Sequence, residues 1–265
     1  MPKAARRRPP LRRAALAAIA CTSTLAGCSR AEGRADAADD PAGQAEDPEA
    51  MAQEAANRLT PEETAQGFAL LFDGVSLDAW RGYGRDDLPG AWSAVDDALT
   101  CTPGGDGGDI ITRETFTDFD LRLEWRLGEG GNSGVFFGVV EGPRRSYHSG
   151  PEIQVLDNAG HPDGRNAITS AGSNYALHAP TADVTRPLGE WNEVRVVREG
   201  NRVRQWLNGT LVVEYELGTD EWKALVAASK FSEWPDYGIH HEGHIALQDH
   251  GNPVWFRNLR IRRLP

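Results

Sequence analysis

Over residues 119–127 apolar and polar side chains alternate without a break. Phe119, Leu121, Leu123, Trp125 and Leu127 fall on one side, and Asp120, Arg122, Glu124 and Arg126 on the other. This is the period-two pattern of a strand with one buried face. Residues 135–140 form a near-continuous apolar run, as in a strand buried on both faces. Val194-Arg195-Val196-Val197 and residues 203–207 lead into Asn208-Gly209, and residues 211–215 return from it. Asn-Gly between such runs is the strongest short-range hairpin signal. Residues 243–249 and 254–264 make a last pair of strands around His250-Gly251-Asn252-Pro253. Phe256 is out of phase with Leu259 and Ile261, which predicts a bulge near Arg257-Asn258. Residues 68–72 read as a short apolar strand ended by Asp73-Gly74. In residues 152–156, Glu152 and Gln154 share one face, and Ile153 and Val155 the other. Gly150-Pro151 and Asp157-Asn158-Ala159-Gly160 punctuate that strand on either side.

Helical signals are few. Thr60-Pro61-Glu62-Glu63 has the form of a capping box with proline at the first helical position, and Gly67 ends the helix. Residues 221–229 suggest a second short helix. Many antiparallel strands with glycine-rich turns argue an all-β protein, a jelly-roll β-sandwich with a short N-terminal helix.

The first 27 residues have a different character. Lys3, Arg6, Arg7, Arg8, Arg12 and Arg13 precede an alanine-rich apolar run too short and weak to span a membrane. Leu25-Ala26-Gly27-Cys28 then has the form of a lipoprotein cleavage site. The expected organisation is a signal peptide at 1–27, a disordered acidic tether at 28–58 and one domain at 59–265. Cys28 would carry the lipid, and the protein would sit in the cell envelope on the periplasmic or outer-surface side. Of the three cysteines only Cys101 would then remain in the folded part, so no intrachain disulfide is expected. Losing the six cations of the signal takes the formal charge from −11 to near −17. With no basic cluster left in the mature part, no nucleic-acid partner is expected, and the membrane is contacted only through the lipid.

Seven pieces, in order, resemble one family. They are Leu59-Thr60-Pro61-Glu62-Glu63, Leu71-Phe72-Asp73-Gly74 with Trp80, Asn132-Ser133-Gly134-Val135-Phe136-Phe137, Glu152 through Asn158, Gly189-Glu190-Trp191-Asn192, Trp206-Leu207-Asn208-Gly209, and Gly243 through Gly251 followed by Phe256-Arg257-Asn258. Together they are similar to the bacterial 3-keto-disaccharide hydrolase domains across essentially the whole domain. The resemblance implies a concanavalin-like jelly roll acting on sugars oxidised at carbon 3. It implies 3-keto-glycoside 1,2-lyase chemistry with hydration of the resulting 3-keto-2-hydroxy-glucal. The loop 234–242 matches none of the family pieces.

The residues themselves constrain the chemistry. Glu152 to Asp157 also resembles the paired-carboxylate strand of jelly-roll glucanases, but Gln154 stands at the middle acid and does not titrate. On an unbent strand Glu152 and Asp157 would be roughly 16 Å apart and on opposite faces. A retaining glycosidase needs its carboxyls about 5–5.5 Å apart and an inverting one about 6.5–9.5 Å. A 3-keto sugar instead asks for one base at carbon 2, a stabiliser for the enolate and an acid for the leaving oxygen. The catalytic candidates are Glu152, His250 and Asp157. Either Glu152 or His250 is the base, and the other assists the leaving group or positions water. Gln154 and Asp157 would hold sugar hydroxyls, with Asn132, Tyr175, Lys230 and Gln248 as further contacts.

Structural roles compete for several of these. Asn132-Ser133-Gly134 suits a turn leading into a strand. His250 sits in a good turn sequence and would there bond backbone, although histidine is the side chain best suited to proton transfer at neutral pH. Arg257-Asn258 would stabilise the bulge, Glu124 and Arg126 would form a cross-strand ion pair, and Trp80, Trp92, Trp125, Trp191 and Trp206 would be core. His240, His241, Glu242 and His244 match no standard zinc spacing. No cofactor is indicated by a motif, and a divalent metal held by Glu152, Asp157 or His250 is left open. Three functions follow: a 3-keto-glycoside lyase or hydratase, a non-catalytic glycan-binding module, and a conventional glycoside hydrolase.

Overall fold

The computed structural model describes residues 56–142 and 145–265. The signal segment, Cys28 and nearly all of the tether lie outside the described residues. Asn57 belongs to the folded unit: its amide donates to Asn258 Oδ1 at 2.6 Å, and the Asn258 amide donates back to Asn57 Oδ1 at 2.8 Å. Helix α1 (Pro61–Ala65) begins with the expected capping box, in which Thr60 Oγ1 and the Glu63 carboxylate each satisfy the other's amide.

Among the described residues thirteen strands follow, in two antiparallel sheets. They are β1 (Ala69–Leu70), β2 (Trp80–Gly82), β3 (Trp92–Val95), β4 (Ala98–Cys101), β5 (Ile110–Thr112), β6 (Phe119–Leu127), β7 (Asn132–Val139), β8 (Glu152–Leu156), β9 (Asn192–Glu199), β10 (Arg202–Leu207), β11 (Thr210–Glu216), β12 (His244–Leu247) and β13 (Val254–Arg263). The larger sheet has eight strands in the order β11-β10-β9-β6-β13-β4-β3, with β1 also paired to β13. The smaller has five, β2-β5-β12-β7-β8. The molecule is a concanavalin-like jelly-roll β-sandwich with a short N-terminal helix. Between the sheets, Phe119, Leu121, Leu123, Trp125 and Leu127 of β6 share one core with Val135 and Phe137 of β7 and Ile153 and Val155 of β8.

Strand β6 has the predicted bounds, and Asn208 (φ +48°) and Gly209 (φ +79°) turn β10 into β11 as the Asn-Gly signal requires. The bulge in β13 falls where the phase break placed it: the register with β6 shifts between Arg257 and Arg260, with Asn258 at φ +55°. Glu124 serves that bulge, accepting from Arg257 Nε at 2.7 Å and Asn258 Nδ2 at 2.8 Å. Arg126 lies over the rings of Trp191 and Trp255. Trp80, Trp92 and Trp125 are core, whereas Trp191 and Trp206 are half-buried under arginines.

Two strand expectations are corrected, and four short strands are additional to those expected. The strand expected over residues 68–72 is reduced to β1. The short strands β2 to β5 have no counterpart in the alternation pattern. Asn132-Ser133-Gly134 is not a turn but the first part of β7. Asn132, Gly134 and Phe136 therefore alternate onto the outer face of the small sheet, where Gly134 pairs with Gln154 and Phe136 with Glu152.

Candidate active site

Strand β8 is an edge in sheet order but not a wet one. Residues 172–175 run along it: Gln154 donates to the Ser173 carbonyl at 3.1 Å, Gly172 to the Gln154 carbonyl at 2.8 Å, and Tyr175 to the Glu152 carbonyl at 3.0 Å. This added chain covers the edge and brings Tyr175 beside Glu152. All five residues of β8 are buried, including both polar ones. The outer face of the small sheet becomes the floor of a cavity of about 350 Å³, a volume within the range of small-molecule sites.

Asn132, Glu152 and Gln154 come from the floor, Gln248 and His250 from the segment after β12, and Tyr147, Tyr175, Lys230 and Trp234 from the covering loops. Helix α2 (Asp220–Ala228), capped by Thr219, runs into a single 3-10 turn at Lys230–Glu233. Ser229 caps that turn and Phe231 anchors it in the core, which presents Lys230 to the cavity. Lys230 Nζ lies 4.2 Å from the centroid of the Tyr175 ring, a cation–π contact. The Tyr175 hydroxyl donates to Asp163 Oδ2 at 3.1 Å. Tyr147 stands edge-on to Trp234 with centroids 5.4 Å apart, and its turn is tied down by the Ser146 hydroxyl donating to Asp109. Asp109 also accepts from the amide of Asp249 at 3.0 Å, so one half-buried carboxyl fastens the loops that carry Tyr147 and His250.

Burial pushes the Glu152 carboxyl up to about 8; the Lys230 ammonium pulls it back down, and Asp109 and Asp163 push it further up. Burial likewise lowers the proton affinity of Lys230, against the attraction of Glu152 and Asp163. The two titrate as a pair. Near neutral pH the site thus holds a carboxyl on the verge of ionising beside an ammonium on a desolvated stem, the tuning that proton-transfer sites use. Gln154, with its amide nitrogen toward Glu152, donates to Glu152 Oε1 at 3.1 Å and to the Ser133 carbonyl at 3.2 Å. Gln248 Oε1 is buried without a hydrogen-bond partner among the described residues, an acceptor suited to a sugar hydroxyl.

Of the residues expected in the site, the fold brings together Glu152, His250, Gln154, Asn132, Tyr175, Lys230 and Gln248. Asp157 is the exception. Its oxygens accept from the amides of Gly130 at 2.8 Å and Ala159 at 3.2 Å, and it lines a separate depression with Trp125 and Arg186. Odd spacing from Glu152 sends it away from the floor, and the backbone takes up both of its oxygens. The turn at His250 is held by Asp249, not by the histidine: Asp249 accepts from Gly251 and Gly108, each at 2.9 Å. The His250 ring instead reaches Asn132, with His161 on the same amide. Sequence reading missed His161, Tyr147, Trp234, Asp109 and Asp163. For Trp234 the departure of loop 234–242 from the family pieces was the one available signal. Among the described residues no group of three or more His, Cys, Asp or Glu is disposed to hold a metal. His244 of the His240–His244 cluster contacts the Glu114 carbonyl at 3.2 Å. Cys101 is buried in β4, its thiol pushed up by burial.

Glycine at 134 is required by the site rather than by the backbone. A Cβ there would stand 2.3 Å from Glu152 Oε1 and 2.9 Å from its Cδ. Gly134→Ala is expected to lower turnover by about 10²-fold through displacement of the carboxyl, while the thermal midpoint changes little. Steady-state kinetics with parallel melting curves check this; an unaltered kcat would mean that Glu152 need not sit where it does.

With a cavity floored by polar side chains on its small sheet, the jelly roll is a carbohydrate-active enzyme by its family and relatives. Residues 67–262 match the 3-keto-alpha-glucoside-1,2-lyase-like domain, and the chain belongs to that family. It is 36% identical over 230 residues to a 3-keto-disaccharide hydrolase of Bacteroides thetaiotaomicron, covering 76% of this chain and 79% of that one. Among solved structures it resembles a candidate glycosyl hydrolase of Parabacteroides distasonis. The TM-score is 0.74 at 32% identity, over 79% of this chain and all of that one. A second such protein from the same organism matches with a TM-score of 0.58 at 27% identity, over 74% of this chain and 99% of that one.

Proposed function

We propose that the domain cleaves 3-keto-glycosides by elimination across carbons 1 and 2 and then hydrates the product. Glu152 removes the proton on carbon 2, and the Lys230 ammonium holds the charge that develops on the carbon-3 oxygen. The bond from carbon 1 to the glycosidic oxygen breaks, and His250 supplies the proton that leaves with the aglycone. Carbons 1 and 2 are then joined by a double bond in a 3-keto-2-hydroxy-glucal. In hydration, His250 takes a proton from water as hydroxide adds to carbon 1, and Glu152 returns its proton to carbon 2. Both groups end in their starting states, and the net reaction is hydrolysis.

The observation that carries this reading is the buried Glu152, its proton affinity raised, in one cavity with Lys230 and His250. Asp157, the acid just beyond the strand, is spent on backbone amides. The family and the relative named a 3-keto-disaccharide hydrolase support the substrate class. Incubation with a plain disaccharide and with its 3-keto form tests it. Cleavage of only the keto form is expected. Cleavage of the plain sugar would establish conventional hydrolysis, and binding of either without turnover a glycan-binding module. The order of basic residues, apolar run and Leu-Ala-Gly-Cys28 supports export and lipidation, and with them a position where envelope oligosaccharides are met. Loss of membrane association in Cys28→Ala checks this.

A further inference from the structure

His161 stands just before the 3-10 turn Pro162–Arg165, and its Nδ1 accepts from the amide of Asp163 at 3.2 Å. A ring nitrogen that accepts carries no proton, so neutral His161 is protonated at Nε2. That nitrogen is 3.4 Å from the side-chain amide of Asn132. An N–H directed there needs the Asn132 carbonyl oxygen, not its NH₂. The same orientation is demanded from the opposite end. Gln154 meets its neighbours with its nitrogen toward Glu152 and Ser133, which turns its oxygen to Asn132 across a 3.3 Å contact. Asn132 must therefore offer its NH₂ to Gln154 and its oxygen to the histidines. Two requirements, arising at Asp163 and at Glu152, select one arrangement.

His250 Nε2 lies 3.5 Å from the same atom of Asn132, and the two imidazole rings stand nearly perpendicular with centroids 6.1 Å apart. It too then faces a carbonyl oxygen. We propose that Asn132 and His161 are positioning residues that hold His250 in its Nε2–H tautomer, leaving Nδ1 to exchange protons, and that Gln154 joins this frame to Glu152 in one chain of hydrogen bonds. The role of His250 rests on the function proposed above; the tautomers do not. His161 is bound on both nitrogens and holds still, whereas His250 gains or loses a proton at Nδ1 without disturbing its bond to Asn132. The chain also couples the ends of the site: Asn132 donates to the Gln154 that steadies Glu152 and accepts from the ring that serves the leaving oxygen.

Long-range proton–nitrogen spectra of the full domain labelled with ¹⁵N-histidine, recorded with both rings neutral, read the tautomers directly. His161→Gln and His250→Gln assign the signals. Both rings are expected as Nε2–H in the native protein. In Asn132→Ala, His161 keeps its tautomer because Asp163 still donates to Nδ1, while His250 drifts to a mixed population. An Nδ1–H His250 in the native protein, or one unmoved by Asn132→Ala, overturns the proposal. Kinetics on a 3-keto-glucoside give the second arm. His161→Phe is expected to lower kcat about tenfold, the worth of one hydrogen bond, with KM nearly unchanged. His161→Gln, which retains a donor toward Asn132, restores most of it. Equal losses in the two variants, with native melting curves, would also overturn the proposal. If no 3-keto sugar is turned over, the proposed function fails while the spectra still decide the tautomers.

Discussion

Glu152→Gln is expected to lower kcat on a 3-keto-glucoside by about 10²–10⁴-fold, the range for loss of a positioned base, and to make the protein more stable at alkaline pH. The amide keeps the shape and an acceptor oxygen, so floor and cavity should persist. In the wild type, kcat/KM should be bell-shaped in pH, since Glu152 must be ionised while His250 still carries the proton it supplies; the Glu152 step lies near 8 because burial holds its proton. The stability sign follows from the same shift. Folded Glu152 titrates near 8 against an ordinary value of 4.5. The favourable contribution is therefore fully present below about 4.5 and is lost as the pH rises through 8. At pH 9 the fold must hold an ionised, desolvated carboxylate, a burden of up to a few kcal/mol that the Glu152→Gln variant does not carry. Denaturant midpoints of both proteins at pH 5 and 9 measure it. A stability difference that fails to grow with pH would show that the carboxyl is not desolvated, and undiminished turnover would remove it from the mechanism.

Lys230→Met should cost about 10²–10³-fold in kcat, as for removal of a preorganised group facing a developing oxyanion. It should also move the Glu152 step of the pH profile to higher pH. The ammonium is the one influence among the causes acting on Glu152 that favours ionisation; burial, Asp109 and Asp163 all oppose it. Methionine keeps an unbranched apolar chain, and only the ammonium with its contacts to the Tyr175, Tyr147 and Phe231 rings is lost. Rates measured from pH 6 to 10 separate the two effects. A lower maximum with an unmoved Glu152 step would mean that Lys230 stabilises the enolate without tuning the base. An unchanged maximum would remove it from the chemistry.

Much of this site was legible before folding. Alternation along residues 152–156 put Glu152 and Gln154 on one face, and a family resemblance attached sugar chemistry to them. What alternation leaves open is whether a face is wet. That depended on residues 172–175, distant from any strand signal, pairing with the edge of β8 and covering it. Only then does Glu152 hold its proton to about pH 8. His161, Tyr147 and Trp234 lie in loops, where neither period applies and long-range contacts choose the conformation. Asp157 shows the reverse case: an acid in the right motif, captured by local amides.

The chain's own order of polar and apolar residues determined the sandwich. Strand β6, the Asn208-Gly209 hairpin, the bulge at Asn258 and the capping box at Thr60 all rest on local sterics and hydrogen bonds that act within a few residues. Strands β2 to β5 escaped because runs of three or four residues carry too few periods to register. Tertiary structure alone decided the chemistry of the floor. Proton affinity depends on desolvation and on charges brought near from Lys230, Asp109 and Asp163, and the orientation of Asn132 depends on partners from both sides of the cavity. Those are sums over neighbours that only a closed fold supplies.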